Sequence, residues 1–397
     1  MLVFSSFLIG YILSQFFRSF LAVIAPELAV ELSLDPQALA TMQTAWILGF
    51  TVMQFPVGWA LDTIGPKKTV TTTMLAAILG AALFAHANST LELDIALALV
   101  GIGCSAIYMG AIFVMGRIYS AKRFALLCSW LIGLGSAGNL LAASPLSWAA
   151  TAIGWRNAMS LMAFITLLAT ALLFFTIHDP KKSESTRHDG FLSGIWTVLR
   201  IRALWPILPL TAISYAVLIA ERGLWAGPYL SNVHGLGPVD RGNGLLVMAA
   251  AMSFGAMVYG PLDHWLGTNK WIVAIGTAIT ALCFLYLGLG NPSTSLAILT
   301  LSILGASGLT YGVLMAHGRS FVPDHLLGRG LTLMNILFIG GAGIVQPISG
   351  AVMNQMKSLP VAEGYATLHF YFGVSLIGAL AIYVFSKDVI RTRNEPS

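Results

Sequence analysis

The stretch Gly58-Trp59-Ala60-Leu61-Asp62-Thr63-Ile64-Gly65-Pro66-Lys67-Lys68 joins two long apolar runs. Its glycines permit close helix packing and a tight reversal, and its paired lysines mark a cytoplasmic edge. The same layout returns as Gly260-Pro261-Leu262-Asp263-His264-Trp265-Leu266-Gly267-Thr268-Asn269-Lys270. Two copies of one loop point to two copies of one half. At the same offset of 202 residues, Pro26 meets Pro228, Pro36 meets Pro238, Gly116-Arg117 meets Gly318-Arg319 and Pro145 meets Pro347. An offset shared by separated landmarks is the mark of a duplication.

The rest of the chain sets these loops in a membrane. Of 397 residues, 57% are hydrophobic and 9% are charged, too few charges to cover a soluble surface. Apolar runs of about 20 residues recur from end to end, each long enough to cross a bilayer. The net charge of +5 does not imply nucleic acid, because the basic residues sit between the apolar runs. Cys104, Cys128 and Cys283 lie far apart inside such runs, so they read as packing residues and not as a disulfide framework. The run Met1–Phe17 has no basic leader and continues through Arg18, so it reads as a first span and not a signal peptide.

The pattern predicts an all-α membrane protein with twelve spans, at roughly 4–29, 38–61, 69–87, 93–117, 124–147, 156–178, 204–230, 243–263, 271–290, 295–318, 328–354 and 365–386. Residues 1–178 form an N-terminal six-helix half, 179–203 a polar cytoplasmic linker and 204–397 a C-terminal six-helix half with a short tail. Part of the linker, Gly190–Arg202, is apolar enough to lie on the membrane surface as a short helix. With both termini inside, sixteen of the 21 Lys and Arg residues fall on the cytoplasmic side and three outside, which fixes the expected orientation. Parallel six-helix repeats place a solute site near the bilayer midplane.

On these residues the chain resembles the major facilitator superfamily over nearly its whole length. Gly58, Asp62, Gly65, Lys67 and Lys68 match that family's loop signature between helices 2 and 3, although Thr63 stands where an Arg is usual. Gly154-Trp155-Arg156 before helix 6 is also common in it. The resemblance implies that Asp62 latches a cytoplasmic gate against helix 11 and Arg117. Gly58, Gly65, Lys67 and the repeat mate Asp263 belong to the same gating set. It implies a carrier working by alternating access, with helices 1, 4, 7 and 10 lining the cavity. Span 5 carries Ser144-Pro145-Leu146 instead of the Gly-Pro-x-x-Gly-Gly run of drug antiporters, which favours uptake over export.

Arg18 is the most informative single residue. A charge at the middle of a span costs about 2.5–3.5 kcal/mol on insertion scales and normally faces a cavity or a partner. Tyr11, Ser14, Gln15 and Arg18 share one helical face. Arg18 either meets an electronegative group of a solute or is neutralised by a carboxylate such as Glu221. Span 7, the repeat mate of span 1, carries Tyr215, Glu221, Arg222 and Trp225. Glu221 is a candidate proton-coupling carboxylate, or else a static partner of Arg222 or Arg18. Gln43, Trp46 and Gln54 on span 2, Tyr108 on span 4, Ser136 and Asn139 on span 5, Tyr311 on span 10, and Asn335 and Gln346 on span 11 are further polar or aromatic positions. The substrate-binding set is Tyr11, Gln15, Arg18, Tyr108, Tyr215, Glu221, Trp225 and Tyr311. Rings and polar groups in one cavity suit a flat or amphipathic organic molecule.

Met248 and Met252 share a helical face, and Met315 lies two residues from His317. Soft sulfur selects Cu(I), so the methionine pair is an alternative metal site, with packing as the plain alternative. In general build the chain is also similar to a bacterial group of facilitators with copper-importing and riboflavin-importing members. One of the two copper motifs of that group, a His-x-x-x-Met, is missing. The expectation is therefore a secondary transporter in a bacterial-type inner membrane. Its cargo is a small organic nutrient of the riboflavin type, with proton or ion coupling, lipid as its surroundings and no cofactor. Copper import, efflux of organic compounds and solute sensing without transport are the alternatives. An enzyme is not expected, because the chain shows neither a HExxH motif nor a nucleophile–His–acid set within its spans.

Overall fold

The computed structural model describes residues 2–118, 127, 130–177, 198–323 and 327–388. Every regular element among them is helical. The helices are α1 (Leu2–Ser19), α2 (Leu21–Glu31), α3 (Pro36–Thr63), α4 (Pro66–His86), α5 (Thr90–Ile118), α6 (Ala137–Leu141), α7 (Ser144–Ile153) and α8 (Trp155–Thr176) in the first repeat. The second repeat has α9 (Leu208–Ala220), α10 (Ala226–Asn232), α11 (Pro238–Leu266), α12 (Lys270–Leu289), α13 (Thr294–Gly308), α14 (Tyr311–Arg319), α15 (Leu327–Gln355) and α16 (Val361–Tyr383). Eleven spans among the described residues are long and apolar enough to cross a membrane. The expected span at 124–147 falls partly outside the described residues, and its remainder is broken between α6 and α7 before continuing to Ile153. The expected surface helix at 190–202 lies mostly outside them as well.

The duplication is visible in the elements. Pro36 and Pro238 each open a long helix, where a missing N–H and a fixed φ cost nothing. Asp35 caps the first of them, accepting from the Ala38 N–H at 2.7 Å. The repeated loop turns on repeated glycines. Gly65 has φ +108° and its mate Gly267 has φ +65°, both in the region that L side chains avoid. Spans 1 and 7 also break at matching places. Span 1 is interrupted at Phe20, and span 7 passes through a π-turn at Glu221–Trp225. Long apolar sequence flanks both breaks, so the sequence pattern predicts each span as one continuous helix.

The chain divides into two compact units. One comprises the described residues of Met1–Glu184 with Gly223–Leu246, and the other those of Ser185–Arg222 with Val247–Ser397. In the first unit α5 packs closely on both α3 and α4. A Cβ on Gly101 would run into the Trp46 carbonyl oxygen, and one on Gly49 into that of Ala98. Small residues at such contacts are what lets membrane helices pack without a hydrophobic drive. The motif Gly154-Trp155-Arg156 closes one end of this unit. Gly154 turns at φ +82°. The Trp155 indole N–H donates to Glu31 at 2.6 Å, and Arg156 donates to Glu31 at 3.0 Å and to the carbonyls of Ala85 and Ala87. The Trp155 hydrogen bond, with help from Arg156 and against partial burial, holds the Glu31 carboxyl below its ordinary pKa. In the second unit, buried Leu210, Val273, Leu314, Phe338 and Tyr383 belong to one core.

Candidate solute-binding site

Arg18 stands in the last turn of α1, just before the break at Phe20. Its guanidinium carbon lies 5.4 Å from the centre of the Trp46 ring and 5.3 Å from that of Phe50. Those two rings stack on each other along α3, 5.3 Å apart and 13° from parallel. The arrangement is a cation–π contact with a half-buried guanidinium. Gln43 lies one turn before Trp46 on the same helix. Its Nε2 reaches Gly223, where a Cβ would lie 3.4 Å from it and 3.6 Å from the Arg18 carbonyl oxygen. Gln43 Nε2 and Trp46 Nε1 are both buried, and neither has a hydrogen-bond acceptor among the described residues. The first unit thus gathers an arginine, an indole N–H and an amide N–H, all of them donors.

The other predicted residues of span 1 meet other elements. Tyr11 pairs with Tyr108 of α5, ring centres 5.4 Å apart, and lies against Gly135. Gln15 is buried over Gly138, where a Cβ would lie 2.9 Å from the Gln15 Cβ. Ser19 donates to Asn139 Oδ1 at 3.0 Å. Gln54 donates to the Ser105 carbonyl at 3.3 Å. Trp225 belongs to the first unit and is 1% exposed.

The second unit brings Tyr215 and Tyr311 together. Phe338 lies between them, 4.5 Å from the Tyr215 ring and 4.1 Å from that of Tyr311. The Tyr311 hydroxyl donates to Asn335 Oδ1 at 3.2 Å. Glu221 stands apart, fully buried, with His369 of α16 at 3.2 Å. The sequence pointed to Arg222 or Arg18 as its partner. In the sequence His369 stands only as a lone ionisable residue in an apolar span, with no pattern that ties it to Glu221.

The gating residues are placed less fully. Gly58 lies in α3, and Gly65 makes the turn into α4. The Lys67 ammonium sits 4.2 Å above the Phe174 ring, and Arg117 lies exposed over Phe113 at 4.3 Å. The side chains of Asp62 and Asp263 lie outside the described residues. Met248 and Met252 are buried against Gly305, where a Cβ would lie 2.7 Å from Met252 Cγ and 3.4 Å from Met248 Cγ. His317 bonds the Tyr383 hydroxyl at 2.7 Å and the Lys387 carbonyl at 2.9 Å. Its two nitrogens are thus engaged by protein groups, and the methionine pair fills a helix contact.

The family model of the Major Facilitator Superfamily matches residues 7–347. The chain belongs to that superfamily. It is a multi-pass membrane carrier of small solutes and not an enzyme, as its relatives are transporters. The hexuronate transporter of Escherichia coli K12 is 22% identical, with 98% of this chain and 96% of that protein covered. Human monocarboxylate transporter 11 is 29% identical over 80% of this chain and 70% of its own length. The galacturonate transporter of Dickeya chrysanthemi is 27% identical over 50% of this chain, and the match spans 63% of that protein. Among solved structures, a bacterial homolog of the human lysosomal transporter Spinster superposes with a TM-score of 0.80 at 16% identity, over 97% of this chain and 96% of that one. The facilitator fold is therefore shared well beyond the reach of sequence identity.

Proposed function

We propose that this facilitator takes up a small organic carboxylate, bound by Arg18, Trp46 and Gln43. The observation that carries this reading is the pair of buried donors, Trp46 Nε1 and Gln43 Nε2, that have no acceptor among the described residues. A buried donor left without an acceptor costs about 1–3 kcal/mol, and two of them stand beside one arginine. A carboxylate complements the two unpaired donors, since both of its oxygens accept and its charge is favoured beside a cation. Relatives named for uronates and monocarboxylates support the same class. The stacked Trp46 and Phe50 rings would cover an apolar face of the solute. Uptake is favoured over export by the span 5 sequence, and the charge pattern of the loops favours an inner membrane with both termini in the cytoplasm.

A riboflavin-like solute is the second reading, favoured by the Tyr11–Tyr108 ring pair. Counterflow of labelled galacturonate and of labelled riboflavin into proteoliposomes separates the two. The expected result is saturable galacturonate exchange that simple carboxylates inhibit. Arg18→Ala should weaken it by about 2–5 kcal/mol of binding, at least 30-fold, with the protein still folded. Riboflavin exchange indifferent to carboxylates, or wild-type exchange in Arg18→Ala, would overturn the carboxylate reading.

A further inference from the structure

Gly223 stands at the centre of the π-turn Glu221–Trp225, buried inside span 7. A glycine within a helical span weakens it, because a bare backbone loses the most freedom on ordering. Two structural needs hold glycines in place elsewhere in this chain, and neither applies at 223. One is a positive φ, as at Gly65, Gly154, Gly235 and Gly267, and Gly223 is not among these. The other is a close backbone approach, as at Gly227 one turn on, where a Cβ would run into the Ala22 carbonyl oxygen. The atoms nearest to a Cβ on Gly223 would be Gln43 Nε2 at 3.4 Å, the Arg18 carbonyl oxygen at 3.6 Å and Gln43 Cδ at 3.8 Å. All three are ordinary van der Waals distances, so an alanine fits there without displacing anything.

What the missing methyl leaves bare is the Gln43 amide. Its nitrogen carries two hydrogens and is buried without an acceptor among the described residues. A methyl carbon resting on that nitrogen would close its side toward span 7 and leave an incoming oxygen less room. Gln43, Arg18 and Gly223 all belong to the first compact unit, so their meeting is a feature of that unit alone. The surrounding turn is of a kind that concentrates at functional sites in helices.

We infer that Gly223 is a specificity-determining residue of the carrier. By withholding a side chain it keeps the Gln43 N–H open to an acceptor oxygen of the solute. This rests on the carboxylate reading, to which it adds the residue that lets one carboxylate oxygen reach Gln43. Gly223 acts through Gln43 and is therefore a positioning residue, while Gln43 makes the contact. The helix is left weaker here than an alanine would make it, and the donor is left open in exchange.

Full-length wild type, Gly223→Ala, Gln43→Met and the double variant test this by melting and by counterflow of labelled galacturonate into proteoliposomes. Gln43→Met keeps an unbranched side chain and removes the amide. Gly223→Ala should melt no lower than wild type, because the methyl fits and the glycine penalty is lifted. Its half-saturation for galacturonate should nevertheless rise about fivefold, the loss of one hydrogen bond. Gln43→Met should raise it by a similar factor, and the double variant by no more than either, since the methyl then has no donor left to cover. Gly227→Ala, the same change one turn on, should instead melt lower, as a packing glycine does. A Gly223→Ala protein that melts lower than wild type would show a packing glycine and overturn the inference. So would an effect that multiplies with that of Gln43→Met to about 25-fold. Unchanged half-saturation in Gly223→Ala would overturn it too, with the carboxylate reading left intact. If wild type moves no galacturonate, the carboxylate reading fails by itself. Riboflavin, whose ring carbonyls are also acceptors, then goes through the same four proteins. The same pattern there keeps Gly223 as the residue that opens Gln43, and a different pattern, or no riboflavin exchange, removes it.

Discussion

Trp46 shows how a single residue can be poor for the fold and good for the function. Its ring is 3% exposed and well packed, but its indole N–H is buried without an acceptor among the described residues. Trp46→Phe keeps the stack on Phe50 and removes the orphan donor. The variant should therefore melt higher, by up to the 1–3 kcal/mol (about) that an unsatisfied donor costs, while binding a carboxylate about fivefold more weakly through the lost hydrogen bond. Thermal unfolding and counterflow on the same preparation check both signs. A variant that melts lower, or that binds unchanged, would remove Trp46 from the site. Arg18, Gln43, Trp46 and Glu221 were all legible in the sequence, because a polar or charged side chain in an apolar span stands out against its neighbours. Their partners were not. His369 lies 148 residues from Glu221 and its repeat position is Leu167, so neither proximity nor duplication pointed to it. The meeting of Gln43 with Arg18 at Gly223 likewise depends on tertiary packing that no local pattern encodes.

At the scale of elements, the helices and their starts could be read, and their breaks could not. Pro36, Pro66 and Pro238 sit where helices begin, and Gly65 and Gly267 sit where φ turns positive. The interruptions at Glu221–Trp225 and between Gly308 and Tyr311 lie inside stretches apolar enough overall to count as single spans, so a window average passes over them. The joint before α8 offers a test of an element end. Glu31 receives the Trp155 indole and the Arg156 guanidinium, and its pKa is depressed. A carboxylate depressed on folding contributes stability above its unfolded pKa and loses it as pH falls through the folded value. Thermal stability should thus fall as pH drops below about 4, the ordinary carboxylate range. Glu31→Gln should flatten that slope. The effect should stay within about 1 kcal/mol, since the Glu31 side chain is 45% exposed. An unchanged acid slope in Glu31→Gln would mean that other carboxylates set it.

For the molecule as a whole, alternating access requires contacts that exist in one state and not in the other. One set is concentrated at the start of α11, within the first compact unit. Arg241 donates to both Glu27 carboxylate oxygens, at 2.6 and 2.8 Å, and to the Val23 carbonyl at 2.6 Å. Ser144 donates to Asn243 at 2.5 Å, and Ser147 to the Pro238 carbonyl. Together these contacts tie α2 and α7, from the first repeat, to the opening of α11 in the second. The Arg241 side chain is 3% exposed and that of Glu27 30%, so the pair is sheltered from water on the arginine side only. Breaking one side of a fully buried pair costs about 3–5 kcal/mol, and the partial exposure of Glu27 holds the cost here to the lower figure at most. If this closure belongs to one state of the transport cycle, that cost falls on that state alone, and at that upper bound it shifts a two-state population about 100-fold. Arg241→Ala should therefore raise the rate at which a membrane-impermeant maleimide labels a cysteine placed at Ser144 by Ser144→Cys. The background would be a folded protein lacking its native cysteines. Arg241→Lys, which keeps the charge but not the planar guanidinium, should give an intermediate rate. Equal labelling in all three proteins would show that the closure persists through the cycle and that the ion pair is structural.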